Sequence, residues 1–367
     1  MRSSVANCGI LLAWGDGGSR TVRLMVYPDG NASYSGVMRC ASPWECPNCA
    51  ERLSFERGKE CQDVLSAHLK SGGGAYLVTL TLPHDQGDHL DPLRRAVSNG
   101  WRKVCSGAPW KRAKDRYGII GSVRALECTV GANGWHPHLH VILLTARWLS
   151  DGRTDELRRV VACRWNAQMQ QAGFRPPHAE HGVTIQRGDK AGFYLAGVGL
   201  ARELTLNTGK VARGGNRTPW QILESLTLQE MSGRPHDPLD LALWQEWCRW
   251  MRGVRQLTWS VGLRERYLDG PERSDEEIVN ETPGEPVELL AIAENDWWRM
   301  ATVPALLDNL LDKAEALAMT AEIGQRAREA LRGMVESAIG RRLENQQRTL
   351  YSEITNAKKA TTSRATA

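Results

Sequence analysis

Runs rich in apolar and β-branched residues predict a group of strands in the middle of the chain. AYLVTLTLPH (75–84) is one such run, bounded by Gly and Pro. GIIGSVRALECTV and GWHPHLHVILLTAR are two more, and the GANG between them (131–134) is a hairpin signal. GVTIQRG (182–188) predicts a further short strand.

The segments between these strands carry the helical period instead. Helices are predicted from about residue 50, from Asp91, over 155–173 and in DKAGFYLAGVGL (189–200). The resulting order is strand, helix, hairpin, helix, strand, helix. That order predicts an α+β fold in which a central antiparallel sheet is backed by helices.

Changes in composition along the 367 residues predict several regions. DGPERSDEEIVNETPGEPVE carries eight acidic residues against one Arg and is predicted to be a linker. The predicted regions are an N-terminal zinc-binding module (1–72), the sheet domain (73–205), an extension (206–268), the acidic linker (269–288), a helical region (289–350) and a disordered tail (351–367).

The composition is that of a globular chain, with 41% apolar and 24% charged residues. No apolar run reaches the ~18 residues of a transmembrane helix, and the N-terminus lacks a secretory signal, so we expect a cytoplasmic protein without membrane partners. The net charge of +5 is compatible with a polyanionic partner. Positive charge is concentrated in 101–118 and 202–220, where solvated surface and DNA contact are both open interpretations.

Three histidines, His136, His138 and His140, stand at alternate positions of one predicted strand. Alternate side chains share a face of a strand, ~7 Å apart, so two imidazoles can reach one metal ion. The competing interpretation is the polar outer face of an edge strand. The apolar residues that follow, Val141 to Leu144, favour a buried strand and therefore a metal site.

The hairpin turn adds a carboxylate to the histidines. If GANG forms the turn, Val130 pairs with Trp135 and Glu127 pairs with His138. A shift of the register by one residue would put Glu127 on the other face. Two histidines and one carboxylate suit Mg²⁺ or Mn²⁺ acting on a phosphate oxygen, although the same ligands also bind Zn²⁺.

Cys40, Cys46 and Cys49 form a C-x5-C-x2-C pattern around SPWECPN. The tight CPNC turn lets two thiolates reach one ion, which is typical of structural zinc sites. Cys8 is the predicted fourth ligand, and Cys61 is the second choice. Incidental cysteines are the alternative.

Several motifs resemble those of the HUH endonucleases that initiate rolling-circle replication. HPHLH looks like the family's metal-binding motif, LVTLTLPH like its first strand motif, and GFYLAG like the helix that carries the nucleophilic tyrosine. The motifs also come in the family's order. CASPWECPNCAERL, RELTLNTGKVARGGNRTPWQIL and LTWSVGLRERY resemble the initiator (Rep) proteins of actinobacterial plasmids in particular. The resemblance runs from Cys40 to about Tyr267.

The resemblance implies a role for each matching residue. His138 and His140 would be the paired metal ligands, Glu127 the acidic third ligand, and Tyr194 the nucleophile that forms a 5′-phosphotyrosine. His136 would help to orient the site. The family usually has a lysine three residues after the tyrosine, where this chain has Gly197. Some members have a carboxylate four residues before it, where this chain has Lys190.

The implied function is the nicking and joining of single-stranded DNA at a replication origin in the bacterial cytoplasm. A host helicase and polymerase would be partners, and Lys111, Arg112 and Lys114 would contact the DNA. A transposase or relaxase with the same chemistry is the nearest alternative. A non-catalytic zinc protein that binds DNA and a hydrolase of small phosphoesters are alternatives of other classes.

Overall fold

The computed structural model describes residues 3–13, 21–28, 30–188, 215–281, 284–301, 304–319, 325, 328–337 and 340. The chain divides into two compact units, the first formed by residues 41–279 and the second by residues 2–40 together with 280–367. No helix in the described ranges is both long enough and apolar enough to cross a membrane.

Eight strands and ten helices are formed by the described residues. The strands are β1 (Thr21–Val26), β2 (Ala32–Ser35), β3 (Gly74–Leu80), β4 (Ile119–Gly131), β5 (Gly134–Thr145), β6 (Val183–Arg187), β7 (Leu257–Trp259) and β8 (Val287–Ala293). The helices are α1 (Ser3–Ala6), α2 (Pro47–Lys70), α3 (Leu90–Val104), α4 (Gly107–Tyr117), α5 (Asp151–Gln171), α6 (Pro219–Met231), α7 (Pro238–Trp250), α8 (Asp275–Asn280), α9 (Glu294–Ala301) and α10 (Pro304–Met319).

The first unit is built on a five-stranded antiparallel sheet in the order β6-β3-β5-β4-β7. The hairpin of β4 and β5 is its longest element, and its turn pairs Gly131 with Gly134. Gly134 has φ +82°, a backbone conformation that favours glycine. The predicted α+β class and the predicted hairpin register are both confirmed.

The two faces of this sheet differ in what covers them. On one face Val78, Leu139 and Leu143 pack in a large core with residues of α3, α4, α5, α6 and α7. On the other face α2 packs through Cys61 and Leu65 against a smaller cluster. That cluster includes Leu77, Val123, Ala125, Ile142 and Leu257. Side chains alternate between the two faces along each strand. Glu127, His138 and His140 therefore lie on this second face, at positions nearer the hairpin turn than the apolar cluster.

The acidic stretch that the sequence predicts as a linker is instead part of folded structure. Residues up to 279 belong to the first unit, where α8 forms and Ile278 and Val279 are buried. Arg57, which is 7% exposed, pairs with Asp275 at 3.2 Å and with Glu272 at 3.6 Å. A buried guanidinium needs carboxylate partners, and the acidic stretch supplies them.

The second unit joins the two ends of the chain. Its three-stranded antiparallel sheet has the order β2-β1-β8, so residues near the N-terminus pair with residues after 286. Val22, Leu24, Ile292 and Trp297 form its core together with residues of α10. This differs from the predicted division, in which the N-terminal module (1–72) stood apart from the helical region (289–350). The predicted disordered tail, 351–367, lies outside the described residues.

Candidate metal centre

The β4–β5 hairpin places Glu127 directly opposite His138, as the turn predicts. His140 is two residues further along β5 and shares the same face. The Oε2 atom of Glu127 lies 3.5 Å from Nε2 of His138 and 3.1 Å from Nε2 of His140. One possible ligand atom from each of the three side chains therefore falls within 4.8 Å of the others.

Hydrogen bonds on the far side of each imidazole set where its proton lies. Nδ1 of His138 is 3.3 Å from the carbonyl oxygen of His136, which can only accept, so that Nδ1 carries the hydrogen. Nδ1 of His140 is 3.2 Å from Oγ1 of Thr79, which can accept in the same way. In His138 this tautomer leaves the Nε2 lone pair directed at Glu127, and a hydrogen on Nδ1 of His140 would do the same for that ring, as in metal-ligating histidines.

The donor set fits a divalent cation. Two Nε2 lone pairs, each 3.5 Å or less from the same carboxylate oxygen, repel that oxygen unless a proton or a cation lies among them. The three side chains are 11–14% exposed, so a cation held by them could still take ligands from solvent or substrate. Three protein ligands with open positions suit Mg²⁺, Mn²⁺ or Zn²⁺.

A further histidine, which the sequence patterns do not single out, extends this centre. Nε2 of His84 lies 2.7 Å from Nδ1 of His136, and Nδ1 of His84 lies 2.9 Å from the carbonyl oxygen of Asn133. His84 therefore ties the end of LVTLTLPH to the hairpin turn and fixes the ring of His136. Burial, followed by the charges of His138 and His84, lowers the pKa of His136 to about 4.

The cysteines of the predicted zinc site lie in both units, two in each. In the second unit the thiols of Cys8 and Cys40 are within 4.8 Å of each other, and the backbone N–H of Cys40 donates to Sγ of Cys8 at 3.4 Å. In the first unit Cys46 occupies the N-cap position of α2 without a capping hydrogen bond, and Cys49 lies in the first turn, with thiols also within 4.8 Å. Each pair can supply two thiolates to a metal.

Cys61, the second choice for the fourth ligand, is placed differently. It is fully buried in the apolar cluster under α2, and burial raises the pKa of its thiol to about 12. A metal ligand has to be a thiolate, so this environment is unsuited to metal binding. The fourth ligand, Cys8, stays a prediction from the sequence.

The remaining predicted site residues lie away from the metal centre or cannot be placed. Lys111, Arg112 and Lys114 are exposed on α4, whose buried residues pack in the core on the opposite face of the sheet. Tyr194, the predicted nucleophile, lies outside the described residues, as do Lys190 and Gly197.

A second group with the same donor types was not predicted from the sequence. His178, Glu180 and His181 come within 4.8 Å of one another in the turn before β6, and all three are exposed. Nδ1 of His178 accepts the backbone N–H of Glu180 at 3.2 Å. In the neutral ring the proton is therefore on Nε2, the reverse of the tautomer in His138 and His140.

Comparisons with known proteins agree with the motifs. The chain is 29% identical to Protein rep of Streptomyces lividans over an alignment of 376 positions, gaps included. The alignment covers 82% of this chain and 81% of that protein. It is 30% identical to Protein rep of Bacillus amyloliquefaciens over 105 residues, 28% of this chain and 30% of that protein. The predicted resemblance to Rep proteins is therefore confirmed.

A shorter match has a different name. Neomycin resistance protein of Streptomyces cyanogenus is 33% identical over 154 residues, which cover 35% of this chain and 34% of that protein. No family model and no solved structure matches the chain.

Proposed function

We propose that this chain, a relative of the Rep proteins over four-fifths of its length, initiates plasmid replication by nicking and rejoining one DNA strand at an origin. The observation that carries the proposal is the convergence of Glu127, His138 and His140 on one face of the sheet. A bound Mg²⁺ or Mn²⁺ would neutralise charge on the scissile phosphate and make its phosphorus more open to attack.

The chain's own residues prepare this site for a cation. His138 and His140 offer their Nε2 lone pairs because His136 and Thr79 hold the opposite nitrogens. Glu127 offers the negative charge from the neighbouring strand. All three ligands stand on the longest hairpin of the sheet, and regular strands hold catalytic geometry more closely than loops do.

Tyr194 is the proposed nucleophile on the strength of its motif, GFYLAG. The other tyrosines in the described part of the first unit are poorly placed for attack on DNA. Tyr76 and Tyr117 are 0% and 3% exposed, and the hydroxyl of Tyr267 lies 2.7 Å from Nδ1 of His68. These environments support the assignment of the nucleophile to Tyr194.

The proposed reaction conserves the energy of the phosphodiester bond. The phenolic oxygen of Tyr194 forms a bond to phosphorus while the bond from phosphorus to the 3′ oxygen breaks, and that oxygen ends with a proton. The products are a 5′-phosphotyrosine and a free 3′-OH. Attack by a 3′-OH on the phosphotyrosine reverses the step and rejoins DNA. Because the 3′-OH can be extended, we propose a host helicase and polymerase as partners.

The experiment is a search for the covalent adduct. The full chain is incubated with Mn²⁺ and single-stranded oligonucleotides that tile the DNA around its own gene, and the products are separated on a denaturing gel. We expect a slowly migrating adduct with wild type and none with Tyr194→Phe, and peptide mapping should place the nucleotide on the peptide containing AGFYLAGVGLAR. An adduct with the phenylalanine variant would assign the nucleophile elsewhere, and a nick without any adduct would indicate attack by water.

The same experiment separates the alternatives. A non-catalytic zinc protein that binds DNA would give neither nick nor adduct, and a hydrolase of small phosphoesters would not need Tyr194. A transposase or relaxase would also give the adduct. The relatives named Protein rep favour replication over those two tasks.

We further propose that Cys46 and Cys49, in the CPNC turn at the start of α2, bind a structural Zn²⁺. Their thiols lie within 4.8 Å of each other. Structural zinc contributes directly to the free energy of folding, so Cys46→Ser and Cys49→Ser should lose zinc and unfold at lower temperature. Elemental analysis of wild type tests this, and a protein purified without zinc would contradict it.

A further inference from the structure

Five exposed cations lie close together in sequence on the helix-covered side of the first unit. Arg102 and Lys103 end α3, and Lys111, Arg112 and Lys114 lie on α4. None of the five forms an ion pair with a carboxylate in the part of the chain that the structure describes. Nearby Arg116 pairs with Glu156, so that carboxylate is already in use, and the one acidic residue of α4 itself, Asp115, is outnumbered by the cations around it. We call these five residues the α3–α4 basic surface.

The positive charge continues beneath this surface. The charges of Arg124, Arg164 and Lys114 act on the thiol of Cys105 at the end of α3, and the charge of Arg102 acts on Arg124. Arg164 donates to the carbonyl oxygens of Val104, Lys103 and Ser106, which leave its charge in place. Such a concentration of like charge is unfavourable by itself and is relieved when a polyanion binds.

The α3–α4 basic surface and the metal centre are on opposite faces of the same sheet. Trp110, Ala113 and Tyr117 of α4 pack in the core with Val78 and Leu143. Side chains alternate between faces along the strands, so the candidate metal ligands point away from that core. α4 ends two residues before β4 begins, and Glu127 is eight residues further along β4, or ~26 Å by strand rise. A nucleic acid bound at both sites would therefore contact them through different stretches.

The chemistry of the surface favours a double helix over a single strand. Proteins that bind single strands stack the bases on exposed aromatic rings. Here the aromatic rings of α3 and α4, Trp101, Trp110 and Tyr117, are 4%, 8% and 3% exposed and point into the core. Cations without stacking surfaces contact phosphates, and duplex DNA presents these at the highest density.

We propose that the α3–α4 basic surface binds the backbone of double-stranded DNA that flanks the single strand held at the metal centre. That this duplex belongs to a replication origin rests on the proposed nicking function. That the surface binds duplex DNA does not depend on nicking. One face of the sheet would then cut the strand while the opposite side anchors the protein to the adjoining helix.

The test compares two triple variants of the full chain. The first is Lys111→Gln, Arg112→Gln and Lys114→Gln. The matched control is Lys59→Gln, Lys70→Gln and Arg234→Gln, which removes three exposed cations that likewise pair with no carboxylate among the described residues. Binding to a fluorescent 30-base-pair duplex is measured by anisotropy at several salt concentrations, without added Mn²⁺.

The first variant should bind the duplex at least ~10-fold more weakly at 0.1 M salt, and its plot of log K against log salt should be less steep by ~3. The control should keep the wild-type slope. An unchanged slope in the first variant, or an equal change in the control, would overturn the proposal. If the first variant lost binding to transfer RNA but kept binding to duplex DNA, that result would also overturn the proposal.

Cleavage of a short single-stranded oligonucleotide separates this proposal from the proposed function. In the first variant, duplex binding should fall by a larger factor than cleavage of this oligonucleotide, and an equal loss of both would assign the surface to the nicked strand and overturn the inference. A wild-type chain that binds duplex DNA through these residues but forms no adduct would refute nicking and leave the inference standing.

Discussion

Two groups in the first unit bring the same donor types together, two histidines and one glutamate within 4.8 Å. Glu127, His138 and His140 lie on paired strands and are 11–14% exposed. Glu180, His178 and His181 lie in a turn and are exposed. The rings of His138 and His140 stand at 83° to each other, whereas those of His178 and His181 are stacked at 15°.

The difference teaches that proximity of donors is a weak criterion for a metal centre. On the strands each Nδ1 faces an acceptor, so the Nε2 lone pairs are available together. In the turn, Nδ1 of His178 is used to accept a backbone N–H, so Nε2 carries the proton in the neutral ring. Hydrogen bonds behind the ligands, more than the ligands' identity, distinguish the two groups.

The largest effect should come from removing a histidine of the sheet group. His138→Ala and His140→Ala should each reduce nicking by ~10³-fold or more, because the stabilisation of a transition state by a metal amounts to several kcal/mol. The double variant His178→Ala, His181→Ala should nick like wild type. Initial rates on a short single-stranded substrate measure both, and equal losses would erase the distinction between the groups.

A smaller loss is expected for the carboxylate. In Glu127→Ala, water can fill the vacated coordination position, so nicking should fall less than in the two histidine variants and should recover in part at high Mn²⁺ concentration. DNA binding should be nearly unchanged, since phosphate contacts dominate affinity. Glu180→Ala is the matched control and should behave as wild type. A Glu127 variant as inactive as His138→Ala would mean that the carboxylate does more than hold a cation.

A subtler test changes the groups behind the histidines. Thr79→Val keeps the shape of the side chain and removes the acceptor for Nδ1 of His140, so Mn²⁺ should bind ~10–100-fold more weakly. Thr81 donates to the carbonyl oxygen of His181 and anchors the turn group. Thr81→Val should leave Mn²⁺ affinity unchanged in a calorimetric titration. The same loss in both variants would point to a general loosening of β3.

The smallest expected effect is on stability and concerns His68. This buried histidine is hydrogen-bonded to a tyrosine hydroxyl and to backbone carbonyl oxygens, and not to possible metal ligands. His68 is 1% exposed; Nδ1 is 2.7 Å from the Tyr267 hydroxyl and Nε2 is 3.1 Å from the carbonyl oxygens of Gly74 and Thr145. A Cβ on Gly73 would lie 2.2 Å from its ring. Burial lowers the pKa of His68, with a further lowering from the charge of Arg266.

The sign of the resulting pH dependence follows from this lowered pKa. Below pH ~6.5 an unfolded histidine takes up a proton that the folded ring resists, so its contribution to stability is present above that pH and is lost as pH falls. The slope is at most ~1.4 kcal/mol per pH unit. Urea unfolding between pH 7.5 and 5 should show a flatter profile in His68→Gln than in wild type. Identical profiles would mean that the pKa of His68 is the same in the folded and the unfolded chain, contrary to the lowering that its burial predicts.

The structure also explains two segments, RTPWQIL and LTWSVGLR, that resemble Rep proteins but contain no predicted catalytic or metal-binding residue. Arg217 of RTPWQIL binds Asp240 with both nitrogens at 3.0 and 2.6 Å, and this pairing lowers the pKa of Asp240. Thr218 beside it caps α6 in a capping box with Gln221. Arg264 of LTWSVGLR is 5% exposed and pairs with Glu60 at 3.3 Å. We infer that these motifs hold α2, α6 and α7 in place.

The sequence by itself determined the hairpin and, through it, which side chains share the face of the candidate metal centre. A four-residue GANG turn fixes the register of the strands on either side, so Glu127 must face His138 and His140 must follow on the same face. Only short-range geometry enters that deduction.

What only the tertiary structure decided depends on partners far apart in the chain. His84 contacts His136, which is 52 residues further along the chain. Arg57 pairs with carboxylates of a stretch predicted to be a linker, and β1 pairs with β8. The same holds for the basic residues of α4, whose side of the sheet is set by which of its residues are buried. Burial and charge compensation act through space, so no local pattern records them.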